Sequence, residues 1–224
     1  MTPEELTGRA LGHLVEVREL GCSLHRDACA AFMAMRRAAS AAGLEPRPVS
    51  AFRDFGRQLE LWNGKYRGDR PVRDAAGALV DLRPLGDDAR IDAILLWTAL
   101  PGASRHHWGT DLDLIDGGAL ARGYSPRLEP GEYAGEGPFA PLAAWLESHA
   151  GRFGFFRPYR GLRSGVRPEP WHYSFAPVAD EAVRRLGIDV LREALEAAPL
   201  EGRAAVLSRL AELHARFVVA IDPF

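Results

Sequence analysis

An α+β fold is predicted: a small, mostly antiparallel sheet flanked by helices, with a helical extension at the C-terminus. Three observations carry it. Apolar residues recur at helical spacing over 24–42, over 139–150 and through 178–218. Short stretches at 46–51, 110–115 and 172–175 read instead as strands. Between them, 68–84 is polar with a turn at its centre and 117–137 is rich in Gly and Pro, the marks of long connections. The 224 residues allow one large domain or a domain with an appendage. We place the division so that 1–187 form the main domain and 188–224 a helical extension packed on it.

Taken in order, Thr2 as a cap, Pro3 in the first turn and Glu4 and Glu5 behind it predict a helix over 3–20. His13 within it reads as a surface or packing residue. Ala28, Phe32, Met35 and Ala39 recur at helical spacing over 24–42, and Gly43 ends that helix. Cys22 and Cys29 would share a helix face about 10 Å apart along its axis, too far for an intrahelical disulfide. A strand at 46–51 leads into a helix at 54–66 that buries Leu59 and Trp62. Asp74 to Gly77 turns the chain between two extended pieces. Ile91, Ile94, Leu95 and Trp97 mark a helix over 87–99, closed by Pro101 and Gly102. Beyond a second long loop come the helix at 139–150, with His149 near its C-terminal dipole, and an aromatic strand at 153–159. In the final strand Trp171, Tyr173 and Phe175 alternate against His172. Helices are expected at 178–186, 189–197 and 200–218, with His214 structural.

Composition excludes several function classes. A net charge of −2 lacks the basic surplus of a nucleic-acid binder. No run of 18 apolar residues is present to span a membrane. The acidic start shows no basic segment followed by an apolar one, so no signal peptide is visible. Oligomeric state is not legible.

The chemistry concentrates in two stretches. Residues 104–113 read Ser-Arg-His-His-Trp-Gly-Thr-Asp-Leu-Asp, with His106 seven positions before Asp113. Period 2 after Gly109 sends Leu112 and Leu114 to the core and Asp111 and Asp113 to the other face. Imidazole and carboxylate are good ligands for a borderline cation such as zinc. Downstream, Glu169-Pro170-Trp171-His172 follows Pro168, and the prolines exclude a regular helix and a surface i,i+3 pair. An extended segment is expected there.

These stretches resemble the zinc D-alanyl-D-alanine carboxypeptidases, a family that also includes vancomycin-resistance dipeptidases and phage endolysin peptidases. Its Ser-x-His-x-x-Gly-x-Ala-x-Asp motif is matched by Ser104, His106, Gly109 and Asp113, and its Glu-x-x-His by Glu169 and His172. A third element is matched by Ser50, Arg53 and Gln58, and a looser aromatic one by Trp145, Leu146, Ala150, Phe153, Gly154 and Phe155. Asp111 departs from the pattern, standing where the family usually has alanine.

The resemblance implies a metallopeptidase acting on peptidoglycan stem peptides, with one Zn²⁺ held by His106, Asp113 and His172. Glu169 would then be the general base. Arg53 would face the reacting oxyanion or the substrate carboxylate. Ser104, Gln58 and Trp171 would line the substrate cleft. Asp111 is left three roles: orienting a histidine, binding metal, or binding a substrate amine, and we group it with the substrate-binding residues. The implied partner is a peptidoglycan peptide, with the cell envelope as the expected compartment. An endopeptidase cutting L-Ala–D-Glu or a bridge remains open, as does a zinc-holding binding module like the hedgehog signalling domains, which share this fold.

Overall fold

The computed structural model describes residues 1–161 and 163–224. Eight strands are described: β1 (Leu14–Val17), β2 (Cys22–His25), β3 (Pro46–Ser50), β4 (Val72–Arg73), β5 (Leu79–Val80), β6 (Asp111–Asp116), β7 (Phe155–Phe156) and β8 (His172–Phe175). The helices are α1 (Pro3–Leu6), α2 (Arg26–Ser40), α3 (Phe55–Tyr66), α4 (Asp87–Leu95), α5 (Gly117–Ala121), α6 (Ala140–His149), α7 (Ala176–Arg185), α8 (Ile188–Glu196), α9 (Arg203–Ser208) and α10 (Leu210–His214).

The central sheet has the order β3-β6-β8-β7 with every pair antiparallel, as expected for an α+β chain. Its middle strand β6 is buried on both faces. Leu112 and Leu114 point into a core with Phe32 and Met35 of α2, Leu142 and Leu146 of α6, and Tyr173 and Phe175 of β8. Asp111 and Asp113 therefore share the opposite face, where the functional side chains gather. Two small hairpins, β1-β2 and β4-β5, lie outside this sheet.

The N-terminal segment departs from the expected helix. Only Pro3–Leu6 is helical, behind a Thr2–Glu5 capping box. Gly8 then takes φ +75, and a Cβ there would meet Nδ1 of His107 at 2.3 Å. Val15 and Val17, stiff at χ1, pair instead with Leu24 and Cys22 in the β1-β2 hairpin. Cys22 consequently sits on a strand and Cys29 on α2, so the expected shared helix face does not form, although both are free thiols. The 200–218 stretch is also not one helix. It breaks at Arg209, whose guanidinium turns to Asp92 at 2.8 Å and Glu212 at 2.9 Å, and ends in a π turn over Ala215–Val219.

The C-terminal helices share one core with the rest of the chain. Leu191, Leu195, Val206, Leu210 and Leu213 pack with Trp62 of α3 and Ile91 and Ile94 of α4. Polar ties join the same surfaces: the Trp62 indole donates to the Glu201 carbonyl at 3.1 Å, and Asn63 donates to the Pro199 carbonyl at 2.9 Å. Among the described residues, no helix is long and apolar enough to cross a membrane.

Candidate metal centre and cleft

Strand register builds the centre. Ser50 on β3, Asp113 on β6 and His172 on β8 are direct cross-strand neighbours, so three segments of distant sequence present one row on one face. One pleat further along, Asp111 faces Ser174. His106 arrives from outside the sheet, on a 3₁₀ turn over Arg105–Trp108. A 3₁₀ turn separates successive residues by about 120°, which sends His107 away from His106 into the packing under the N-terminal segment. Gly109 closes the turn at φ +66, and a Cβ there would meet Leu14 Cδ2 at 2.5 Å and His25 N at 2.6 Å. The chain can therefore run under the β1-β2 hairpin only as glycine.

The 169–172 segment is likewise a turn rather than extended. The His172 amide donates to the Glu169 carbonyl at 3.2 Å, with Pro170 supplying the φ of the second turn position. This folds Glu169 back so that its Oε2 lies 3.2 Å from His172 Nδ1. The spacing of three is thus a direct contact, but inside a buried cleft.

Three potential ligand atoms converge. His106 Nε2 lies 3.3 Å from Asp113 Oδ2, and His172 Nδ1 lies 3.1 Å from Asp113 Oδ1. One ligand atom from each of the three buried residues falls within 4.8 Å of the others. The remaining ring nitrogens are engaged elsewhere. His106 Nδ1 contacts the Ala51 carbonyl at 2.7 Å, and His172 Nε2 contacts Asp111 Oδ2 at 2.8 Å. A carbonyl or carboxylate behind each ring puts the proton on that side and turns the free lone pair towards the centre, the usual support for a metal-binding histidine. Asp113 Oδ1 is buried without a hydrogen-bond donor. Atoms bound to one tetrahedral zinc at about 2.0–2.2 Å lie roughly 3.3 Å apart, close to the two histidine–aspartate spacings. The residues fit the ion.

Without an ion, the anionic surroundings act on the His172 ring itself, and a metal would take the place of its second proton. Burial disfavours a charged His172, yet Asp111, Asp113 and Glu169 together hold its pKa well above the ordinary histidine range. Burial likewise opposes charge on Asp113 and Asp111, but His106 and His172 around the first and Arg105 and His172 around the second keep both well below the usual carboxylate range. Such a cage draws a cation.

Around it lies a cleft of about 360 Å³ lined by Arg53, Lys65, Ser104, His106, Asp113, Glu169, Trp171 and His172, among others. Arg53 donates to Gln58 Oε1 at 2.9 Å and Ser50 Oγ at 2.8 Å, and its amide donates to the His106 carbonyl at 3.1 Å. Trp171 stacks on Trp97, their centroids 6.4 Å apart.

Two expected substrate contacts fall elsewhere. Gln58 is fully buried, held between Arg53 and the Ala99 carbonyl, and does not line the cleft. Asp111 is fully buried behind His172, where it also accepts from Arg105 Nε at 2.8 Å, Thr110 Oγ1 at 2.7 Å and Ser174 Oγ at 2.8 Å. Its lone pairs are consumed, and no substrate amine can reach it through the ring. Of its three possible roles, the geometry matches orientation of a histidine.

Three further residues line the cleft outside the expected set. Arg105 pairs with Asp111 and lies 4.8 Å over the Trp108 ring. The Tyr159 ring centre is 5.0 Å from that of His172, and burial pushes its hydroxyl up to about 12. Lys65 reaches the cleft from the last turn of α3. Its signal was present: Gln58, Leu61 and Lys65 fall at i, i+3 and i+7 on one helical stripe.

The sequence model of the family described as VanY, D-alanyl-D-alanine carboxypeptidase, matches residues 21–178, well over half the chain. The chain belongs to this family. An uncharacterized protein of Haemophilus influenzae is 34% identical over 122 residues, 54% of this chain and 93% of that one. A D-alanyl-D-alanine carboxypeptidase of Enterococcus faecalis is 26% identical over 144 residues, 63% of this chain and 44% of that one. The fold is shared with VanYB solved in complex with D-Alanine-D-Alanine, at TM-score 0.53 and 23% identity, covering 82% of this chain and 88% of that one. It is shared too with the vancomycin resistance D,D-pentapeptidase VanY solved with Zn(II), at TM-score 0.52 and 23% identity, covering 77% and 83%. As a D-alanyl-D-alanine carboxypeptidase family member, the chain carries its matched motifs inside the matched span: on β6, β8 and the turns leading into them, on β3 and α3, and from α6 to β7.

Proposed function

We propose that this protein is a zinc-dependent carboxypeptidase that removes the terminal D-alanine from peptidoglycan stem peptides ending in D-Ala-D-Ala. The observation that carries the reading is the placement of Glu169: its carboxylate lies 3.2 Å from His172 Nδ1, beside the three-residue cluster yet outside it. That is the position of a base serving an ion held by three protein ligands. Family membership supports the substrate class, and the relatives solved with D-Alanine-D-Alanine and with Zn(II) support ligand and metal.

His106, Asp113 and His172 would hold zinc, which when bound acidifies a water and polarises a carbonyl. Glu169 takes a proton from the attacking water and returns it to the leaving amine, so that water is added across the peptide bond with no net proton change. Arg53, steadied by Ser50 and Gln58, presents its guanidinium to the developing oxyanion or to the terminal carboxylate. Gln58 acts through Arg53 and does not touch substrate. Asp111 holds His172 in one tautomer from behind. Ser104 and Trp171 form part of the cleft wall. A peptidoglycan substrate would call for action at the cell envelope.

The test is incubation of the purified protein with a pentapeptide-stem muropeptide. Free D-alanine should appear, cease with a chelator and return with zinc. Cleavage further inside the stem or at a bridge would replace this reading by an endopeptidase. Intact peptide in the presence of a zinc-loaded, folded protein would replace it by a binding module.

A further inference from the structure

The cations of the cleft differ in what neutralises them. Arg105 is paired with Asp111, and Arg73 and Arg127 lie 3.3 Å and 3.4 Å from Glu129. Lys65 is different. The hydrogen-bond partner of its Nζ is the neutral hydroxyl of Thr98, and among the described residues no carboxylate lies within ion-pair distance. Leu61, one turn earlier on the same helical stripe, lines the cleft with it, as does Thr98. An ammonium has three donors, and one is spent. The Thr98 hydroxyl, accepting from Lys65, still has its own hydrogen to give.

We propose that Lys65 and Thr98 form a carboxylate-binding subsite of the cleft, separate from Arg53, that decides which peptides are accepted. The inference rests on the peptidase reading for its substrate class, and its chemistry is that of a peptide carboxylate. A half-buried ammonium without a counter-ion is costly to keep, and an incoming carboxylate relieves that cost with two donors aimed at one group. Burial pushes the Lys65 amine down to about 8 against the pull of Glu169, while Arg53 and Arg70 push it further down. The last turn of α3 would favour a cation in any case, so a purely structural lysine is the competing explanation. Two carboxylates could occupy the subsite: the peptide C-terminus, or a free carboxylate on a residue upstream of the scissile bond.

The experiment uses four forms of a D-Ala-D-Ala-terminated pentapeptide, with the C-terminus free or amidated and the third-residue side chain ending in a carboxylate or its amide. Binding is read from Trp97 and Trp171 fluorescence in zinc-loaded Glu169→Gln protein, with and without Lys65→Met or Lys65→Arg. The parent should prefer one carboxylate form by about tenfold or more. Lys65→Met should erase that one preference and leave the other, and Lys65→Arg should largely restore it. Loss of the C-terminal preference assigns the subsite to the terminal carboxylate, and loss of the third-residue preference assigns it upstream. If Lys65→Met keeps both preferences, or weakens all four peptides equally, the subsite does not exist. D-alanine release by the unmutated enzyme is scored separately. Lys65-dependent binding without any release would overturn the peptidase reading and leave the subsite standing.

Discussion

At the scale of single residues, three carboxylates surround His172 and each is given different work by its neighbours. Asp113 keeps one oxygen without a donor, Asp111 has every lone pair engaged, and Glu169 sits at the cleft with its carboxylate against the ring. Glu169→Gln keeps size and fold but cannot accept a proton, so kcat should fall about 10²–10⁴-fold with zinc content unchanged and KM little altered. An unchanged kcat in zinc-loaded protein removes Glu169 as the base. Asp111→Asn should retain zinc but bind it about 10–100-fold more weakly, read by competition with a chelator, because His172 loses its carboxylate support. Asp113→Ala should hold none. Full affinity in the Asp111 variant would mean that the ring is oriented by something else.

At the scale of elements, the 3₁₀ turn over Arg105–Trp108 and the β1-β2 hairpin behave as one unit. His25 N donates to the Gly109 carbonyl at 2.8 Å, and the hairpin leaves no room for a side chain at Gly109. Gly109→Ala must combine a left-handed backbone, at about 1–2 kcal/mol, with a clash against the Leu24–His25 backbone. For a chain of this size about 1 kcal/mol lowers Tm by roughly 2–4 °C. The expected outcome is therefore a Tm drop of several degrees together with weakened zinc binding, since His106 rides on the same turn. A drop in Tm with metal affinity untouched would show that the turn and the ligand move independently. This coupling was not legible from the residues. The glycine is visible in the sequence, but the 3–20 stretch opens with a good cap and proline and so predicts a helix where the first hairpin strand forms.

At the scale of the whole molecule, the C-terminal helices complete a core rather than decorate it. Leu210 and Leu213 are fully buried among residues of α3 and α4, the same α3 that carries Gln58 and Lys65. Leu210→Ala or Leu213→Ala should cost about 2–5 kcal/mol of stability, measured by denaturant unfolding. Turnover per folded molecule should stay near that of the parent, since neither residue reaches the cleft. A full-stability variant that had lost turnover would instead give the tail a part in catalysis. Deleting 188–224 should leave α3 and α4 without a wall and the chain insoluble or molten.

What the amino-acid sequence determined by itself was local: which residues could bind an ion, and where period 2 would hold. His106, Asp113 and His172 were identifiable by type and motif, and the alternation after Gly109 put Asp111 and Asp113 on one face, as they are. The four strands of the central sheet and the helices on α2, α3, α4 and α6 were likewise readable, since each buries a regular apolar set. Tertiary structure decided what register and burial decide. Antiparallel pairing brings Ser50, Asp113 and His172, far apart in the chain, into one row. The same pairing seats Asp111 behind a histidine, consuming lone pairs that the sequence left available to a substrate amine. It also makes Gln58 a support for Arg53 and leaves Lys65 without a carboxylate. Whether a polar side chain is a ligand, a brace or an unspent charge depends on the atoms within about 3 Å of it, and those atoms come from residues tens of positions away.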